Sequence, residues 1–111
     1  ISISRIDEKF IEKVQAILDI HLTDSGFSTE AFSELLGMSR MQVHRKLKAL
    51  TGLTASEFVR SQRLKLAASL LKESDVNVSE VCYQVGFNNH SYFTKCFKEI
   101  FGCLPSEYSQ K

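Results

Sequence analysis

The 111-residue chain is 43% hydrophobic and 24% charged, a globular balance with room for one domain or two very small ones sharing a core. No apolar run approaches a membrane span, and no signal peptide or low-complexity tract is visible. The formal net charge is only +1, but residues 40–65 hold seven basic residues against one acidic, while residues 1–39 hold three against seven. A basic block in a near-neutral chain points to a polyanion engaged at one place; a solvated helix face is the bland alternative, and composition leaves both open. Cysteines stand at 82, 96 and 103, an odd number without a C-x-x-C pair. They are expected to be small, partly buried thiols in a reducing cytoplasm, since their spacing with His90 fits no common zinc site. No cofactor motif is present. The chain opens on Ile1 rather than Met, as expected of a piece of a longer protein.

One proline and five glycines, with apolar residues spaced by three and four, predict an all-α fold of about seven helices. Phe10, Ile11, Val14, Ile17, Leu18 and Leu22 form one stripe of a helix over 7–22, which "TDSG" at 23–26 breaks. A short helix over 29–36 ends at Gly37, and Ser39 caps a longer one over 40–50 that Gly52 ends. Thr54 and Glu57 have capping-box spacing and open a long helix over about 56–73. Asn77 and Glu80 repeat the arrangement before a short helix that ends at Gly86. After "FNN", a helix over 90–101 stops at Gly102, and Pro105 suits the first turn of a last short helix.

The chain repeats itself. Gly37-Met38-Ser39 corresponds to Gly86-Phe87-Asn88-Asn89, with one extra residue in the second turn. Beyond the turn the offset is 50, so Val43, Leu47, Leu50 and Gly52 match Phe93, Phe97, Ile100 and Gly102. Before it the offset is 49, so Phe32 and Leu36 match Val81 and Val85. Short helix, tight glycine turn and longer helix occur twice, the outline of two helix-turn-helix units. The expected layout is an N-terminal helix at 7–22, units at 27–52 and 77–102, a linker helix at 54–73 and a tail at 105–111.

Val43, Leu47 and Leu50, and their matches Phe93, Phe97 and Ile100, are expected in the core. The opposite faces carry Arg40, Met41, His44, Arg45 and Lys48 in the first unit, and His90, Ser91, Thr94, Lys95 and Lys98 in the second. Arg and Lys reach guanine O6/N7 or phosphate, Ser and Thr bond base edges, and Met41 suits a thymine methyl. Any exposed helix carries lysines and arginines; two equivalent helices with matching basic faces are harder to attribute to solvation. The linker helix of about 18 residues spans roughly 27 Å, a length that suits reading helices about one DNA turn, roughly 34 Å, apart. Arg60, Arg63 and Lys65 on it are placed to contact phosphates.

The stretch "NVSEVCYQVGFNNHSYFTKCFKEIFGCLPSEY", with "LGMSRMQVHRKLKALTGLTASEFVRSQRLKLAASLL" before it, resembles the DNA-binding domain of the AraC/XylS family of bacterial transcription regulators. The resemblance covers about residues 27–108. It implies two helix-turn-helix units docking into adjacent major-groove segments of promoter DNA. By position it implies base reading by Met41, His44 and Arg45, and by His90, Ser91, Tyr92 and Lys95. Position 95 is more often Arg in the family, and Lys lacks the bidentate fork. Leu104 stands where a small hydroxyl residue is common.

The leading helix "DEKFIEKVQAILDIHL", joined to "MSRMQVHRKLKALTG" and "ESDVNVSEVCYQVGF", resembles the output domain of hybrid two-component sensors. That implies control by phosphorylation of an upstream receiver, and sensor and receiver domains outside these residues. The parent could then carry kinase activity and an inner-membrane anchor. RNA polymerase is a second expected partner, and full-length chains are expected to pair. The competing reading is a helical protein-interaction module with little direct DNA binding, although no apolar groove outside the core supports it. An enzyme is not expected: the sequence has no paired acid and base, nucleophile elbow or phosphate loop.

Overall fold

The computed structural model describes residues 4–73 and 76–109. The end of the tail expected at 105–111 lies outside the described residues. Seven helices and no strand occur among the described residues: α1 (Arg5–His21), α2 (Thr29–Leu36), α3 (Arg40–Thr51), α4 (Ala55–Leu71), α5 (Val78–Gln84), α6 (His90–Phe101) and α7 (Pro105–Tyr108). The all-α expectation holds, and every helix starts within two residues of its predicted start.

The chain forms two compact units. The first holds the residues up to Leu22 and Phe27–Val59; the second holds Thr23–Gly26 and the chain from Arg60 onward. In the first, α1 presents Phe10, Val14 and Leu18 to Phe32 and Leu36 of α2 and to Val43 and Leu47 of α3. Phe27 closes this core by stacking on His21 at 5.4 Å and tilting against Phe32 at 5.6 Å. In the second, Leu64, Ala67, Ala68 and Leu71 of α4 meet Val81, Cys82 and Val85, then Phe93, Cys96 and Phe97. The inward matches Phe32–Val81, Leu36–Val85, Val43–Phe93 and Leu47–Phe97 are all buried.

Ile100 departs from its expected core place: it is 53% exposed, while Leu50 is partly buried. After seven residues a 3.6-residue turn has drifted, so the inner stripe can continue through position 100 or 101. Phe101 takes the place, because its ring lies 4.5 Å from Phe97 and 5.4 Å from Tyr108 of α7.

The repeat extends to the hydrogen bonds that end and start the helices. Gly37 N–H donates to Glu34 O and Met38 N–H to Ser33 O; 49 residues on, Gly86 N–H donates to Tyr83 O and Phe87 N–H to Cys82 O. This is a Schellman closure, and the glycines have φ of 69° and 108°, a region costly for residues with a Cβ. Ser28 caps α2 and Asn77 caps α5; Ser39 caps α3 and Asn89 caps α6. Glu57 accepts from Thr54 N–H at 2.9 Å, and Glu107 accepts from Leu104 N–H at the same distance. In return Thr54 Oγ1 accepts from Glu57 N–H, completing the expected box, whereas Leu104 has no side-chain acceptor for Glu107 N–H.

Candidate nucleic-acid interface

In the first unit, Ser39 and Gln42 form a reciprocal box. Ser39 Oγ accepts from Gln42 N–H at 3.1 Å, and Gln42 Oε1 accepts from Ser39 N–H at 2.9 Å. The box fixes where α3 begins, and therefore which way its outer residues point. Val43 and Leu47 face the core, leaving Arg40, Met41, His44, Arg45 and Lys48 exposed. Met41 is 63% exposed, and Arg45 Nη2 lies 3.1 Å from its sulfur. Arg40 Nη1 pairs with Glu30 Oε1 at 2.9 Å, with both side chains about two-thirds exposed at 65% and 68%.

The starts of α2, α3 and α4 open onto a cleft of about 550 Å³, lined by Thr29, Arg40, Met41, His44, Thr54 and Ser56 among others. Helix starts carry partial positive charge and unsatisfied N–H groups, so this face favours anions even before its side chains are counted.

In the second unit, Asn89 Oδ1 accepts from Tyr92 N–H at 2.9 Å and starts α6. Phe93 and Phe97 turn inward, leaving His90, Ser91, Tyr92, Lys95 and Lys98 exposed and Thr94 half-buried. Thr94 Oγ1 donates back to His90 O at 3.0 Å, so its proton is committed within the helix and its oxygen keeps only acceptor capacity. Of the five rings in 85–102, Phe87, Phe93 and Phe97 are buried and Phe101 is half-buried; Tyr92, 45% exposed, is the most exposed of them.

The three cations expected on phosphates part company. Lys65 is exposed. Arg60 Nη1 donates to Tyr92 Oη at 3.0 Å. Arg63 is half-buried and donates to Asp24 O at 2.9 Å, tying the 23–26 turn to α4. Burial pulls its guanidinium below the ordinary pKa, and the Asp24 carboxylate opposes that pull. Sequence reading missed Glu30, which holds Arg40, and the cleft residues Thr29, Thr54 and Ser56. Their signal was available in part, since Thr29 and Thr54 mark helix starts. Cys82 and Cys96 are buried and Cys103 is half-buried, all as free thiols, and burial raises the Cys82 pKa. Among the described residues no three of His, Cys, Asp and Glu gather as a metal site, and no helix is long and apolar enough to cross a membrane.

The helix-turn-helix domain family matches residues 32–111. "Histidine kinase P4" of Formosa agariphila is 41% identical over all 111 residues, which span 8% of that relative. "HTH-type transcriptional activator RhaS" of Salmonella arizonae is 32% identical over 90% of this chain and 36% of its own length. The crystal structure of the DNA-binding domain of AdpA, a global transcriptional factor in complex with a target DNA, superposes with a TM-score of 0.81 at 30% identity. That superposition covers 91% of this chain and 89% of the AdpA chain. The family comprises transcription regulators and is not an enzyme family. The chain belongs to the helix-turn-helix domain family, in its AraC/XylS form.

Proposed function

We propose that this chain binds double-stranded promoter DNA sequence-specifically, as the DNA-binding part of a bacterial transcription regulator. The observation that carries this reading is the doubled reading face. α3 and α6 start at equivalent caps, bury equivalent stripes and expose Arg45 and Lys95 at equivalent positions. Base edges fall to Arg40, Met41, His44 and Arg45 in one unit and to His90, Ser91, Tyr92, Thr94 and Lys95 in the other, each helix in its own major-groove segment. Lys48, Lys98 and Lys65 neutralise phosphates. Arg63, already bonded to the 23–26 turn, is the weakest phosphate ligand of the set. The AdpA domain, held on its target DNA, supports the same mode here.

The histidine kinase relative supports a place at the end of a phosphorelay, with sensor and receiver domains elsewhere in the parent. RNA polymerase as a second partner, pairing of full-length chains, and a cytoplasmic output domain below a membrane-anchored parent complete the proposal. Binding of labelled duplexes across a salt series tests it. Each neutralised phosphate should contribute about −0.9 to the slope of log affinity against log salt. A protein-interaction module would instead bind no duplex, or bind all duplexes alike.

A further inference from the structure

Arg60 and Tyr92 were expected in separate roles, one on phosphate and one on a base. In the second unit they form one assembly. Arg60 Nη1 donates to Tyr92 Oη at 3.0 Å, and the guanidinium carbon lies 6.0 Å from the centre of the ring. Phe87, buried at the turn, packs on the same ring at 6.2 Å. Asn89 holds the Tyr92 backbone at the helix start. The phenol is therefore fixed at its backbone, its ring and its oxygen.

Hydrogen bookkeeping then determines what Tyr92 offers a partner. A guanidinium has five donors and no acceptor, so the phenol oxygen must accept from Arg60. Its own O–H is left to donate. Its pKa is raised, first by the Cys96 side chain one turn along α6 and then by burial, with Arg60 opposing. Sulfur is a weak acceptor, and an oxygen or nitrogen at a base edge is a stronger one.

We propose that Arg60 is a positioning residue for base reading: it fixes Tyr92 as a hydrogen-bond donor, so the second unit selects a base with an outward acceptor at the position Tyr92 meets. Guanine N7 and O6, adenine N7 and thymine O4 qualify; cytosine, whose major-groove edge offers an amino donor, does not. The inference rests on the DNA-binding reading above and adds a determinant to it.

The test uses the 111-residue chain and duplexes with a randomised central block. Sequencing the bound fraction gives a motif. Affinities for its single-base variants are then measured at several salt concentrations for wild type, Arg60→Met, Tyr92→Phe and the double variant, with Lys65→Met as the phosphate control. Both single variants should lose discrimination against cytosine at the same position, several-fold, and the double variant should lose no more than either. The salt slope should stay close to wild type. The proposal is overturned if Arg60→Met weakens every duplex equally and lowers the slope by about one, as Lys65→Met should. It is also overturned if the two single effects multiply. Either result leaves the DNA-binding reading standing, whereas a wild-type chain that enriches no motif removes both. Circular dichroism melts accompany each variant. If Arg60→Met does not fold, Tyr92→Phe decides, since it keeps the ring and loses the donor; an unchanged base preference there overturns the proposal.

Discussion

In the first unit the large buried ring comes from the short α2, as Phe32, and the longer α3 answers with Val43. In the second unit the short α5 supplies Val81 and the longer α6 supplies Phe93. All four are essentially sealed from solvent. Large and small have changed sides while the pair's summed volume is kept, as a close-packed interior tolerates. The aromatic density of α6 is thus a packing solution. It leaves the polar residues between the rings to face outward, as the aliphatic stripe of α3 does.

Several substitutions can break or sharpen this comparison. Phe97→Ala removes a ring that touches Phe93, Phe101 and Tyr108, and should cost about 3–5 kcal/mol in urea unfolding. Leu47→Ala, its counterpart, should fall in a range of about 2–5 kcal/mol. A loss near zero at Phe97 would mean that the ring is not core. Phe32→Val should destabilise by roughly 1–3 kcal/mol on its own, through a cavity. Adding Val43→Phe, to imitate the second unit, should recover part of that loss; a further loss instead would show that the exchange of sizes is not the organising feature.

The caps give a smaller contrast. Asn89→Ala and Ser39→Ala each remove an N-cap and should cost about 1 kcal/mol. The Ser39 change should be the larger, because the α3 cap belongs to a reciprocal box with Gln42. Equal melting shifts would argue against the box. The Glu30–Arg40 pair is mostly exposed, so Glu30→Gln should change stability by less than about 1 kcal/mol. Its effect belongs in binding: with the ion pair gone, affinity for the selected duplex should rise slightly at low salt, and an unchanged affinity would show that Arg40 does not meet DNA.

What the sequence made legible was whatever repeats locally. Glycine turns, the Ser39 and Thr54 caps and the inward stripes follow from spacing, and the offsets of 49 and 50 tie the two units together. Two kinds of feature escaped. At Ile100 and Phe101, helical periodicity allows either residue inward, and only the docking of Tyr108 decides. Arg60 meets Tyr92 across 32 residues and Arg63 meets Asp24 across 39, so no local pattern announces either contact. Both arginines looked like free cations in the sequence, and each is committed to a partner within its own unit.

The central claim is that two equivalent helices each read DNA. The most direct measurement is the base preference of Arg45→Ala and Lys95→Ala over every single-base variant of the selected duplex. Each should lose about 1–3 kcal/mol of specific binding if its contact is to a base. Each should also relax preference in a different part of the motif, with Arg45 giving the sharper guanine signal because Lys95 lacks the fork. Variants that both weaken all sequences uniformly, or that both leave affinity unchanged, would contradict the account.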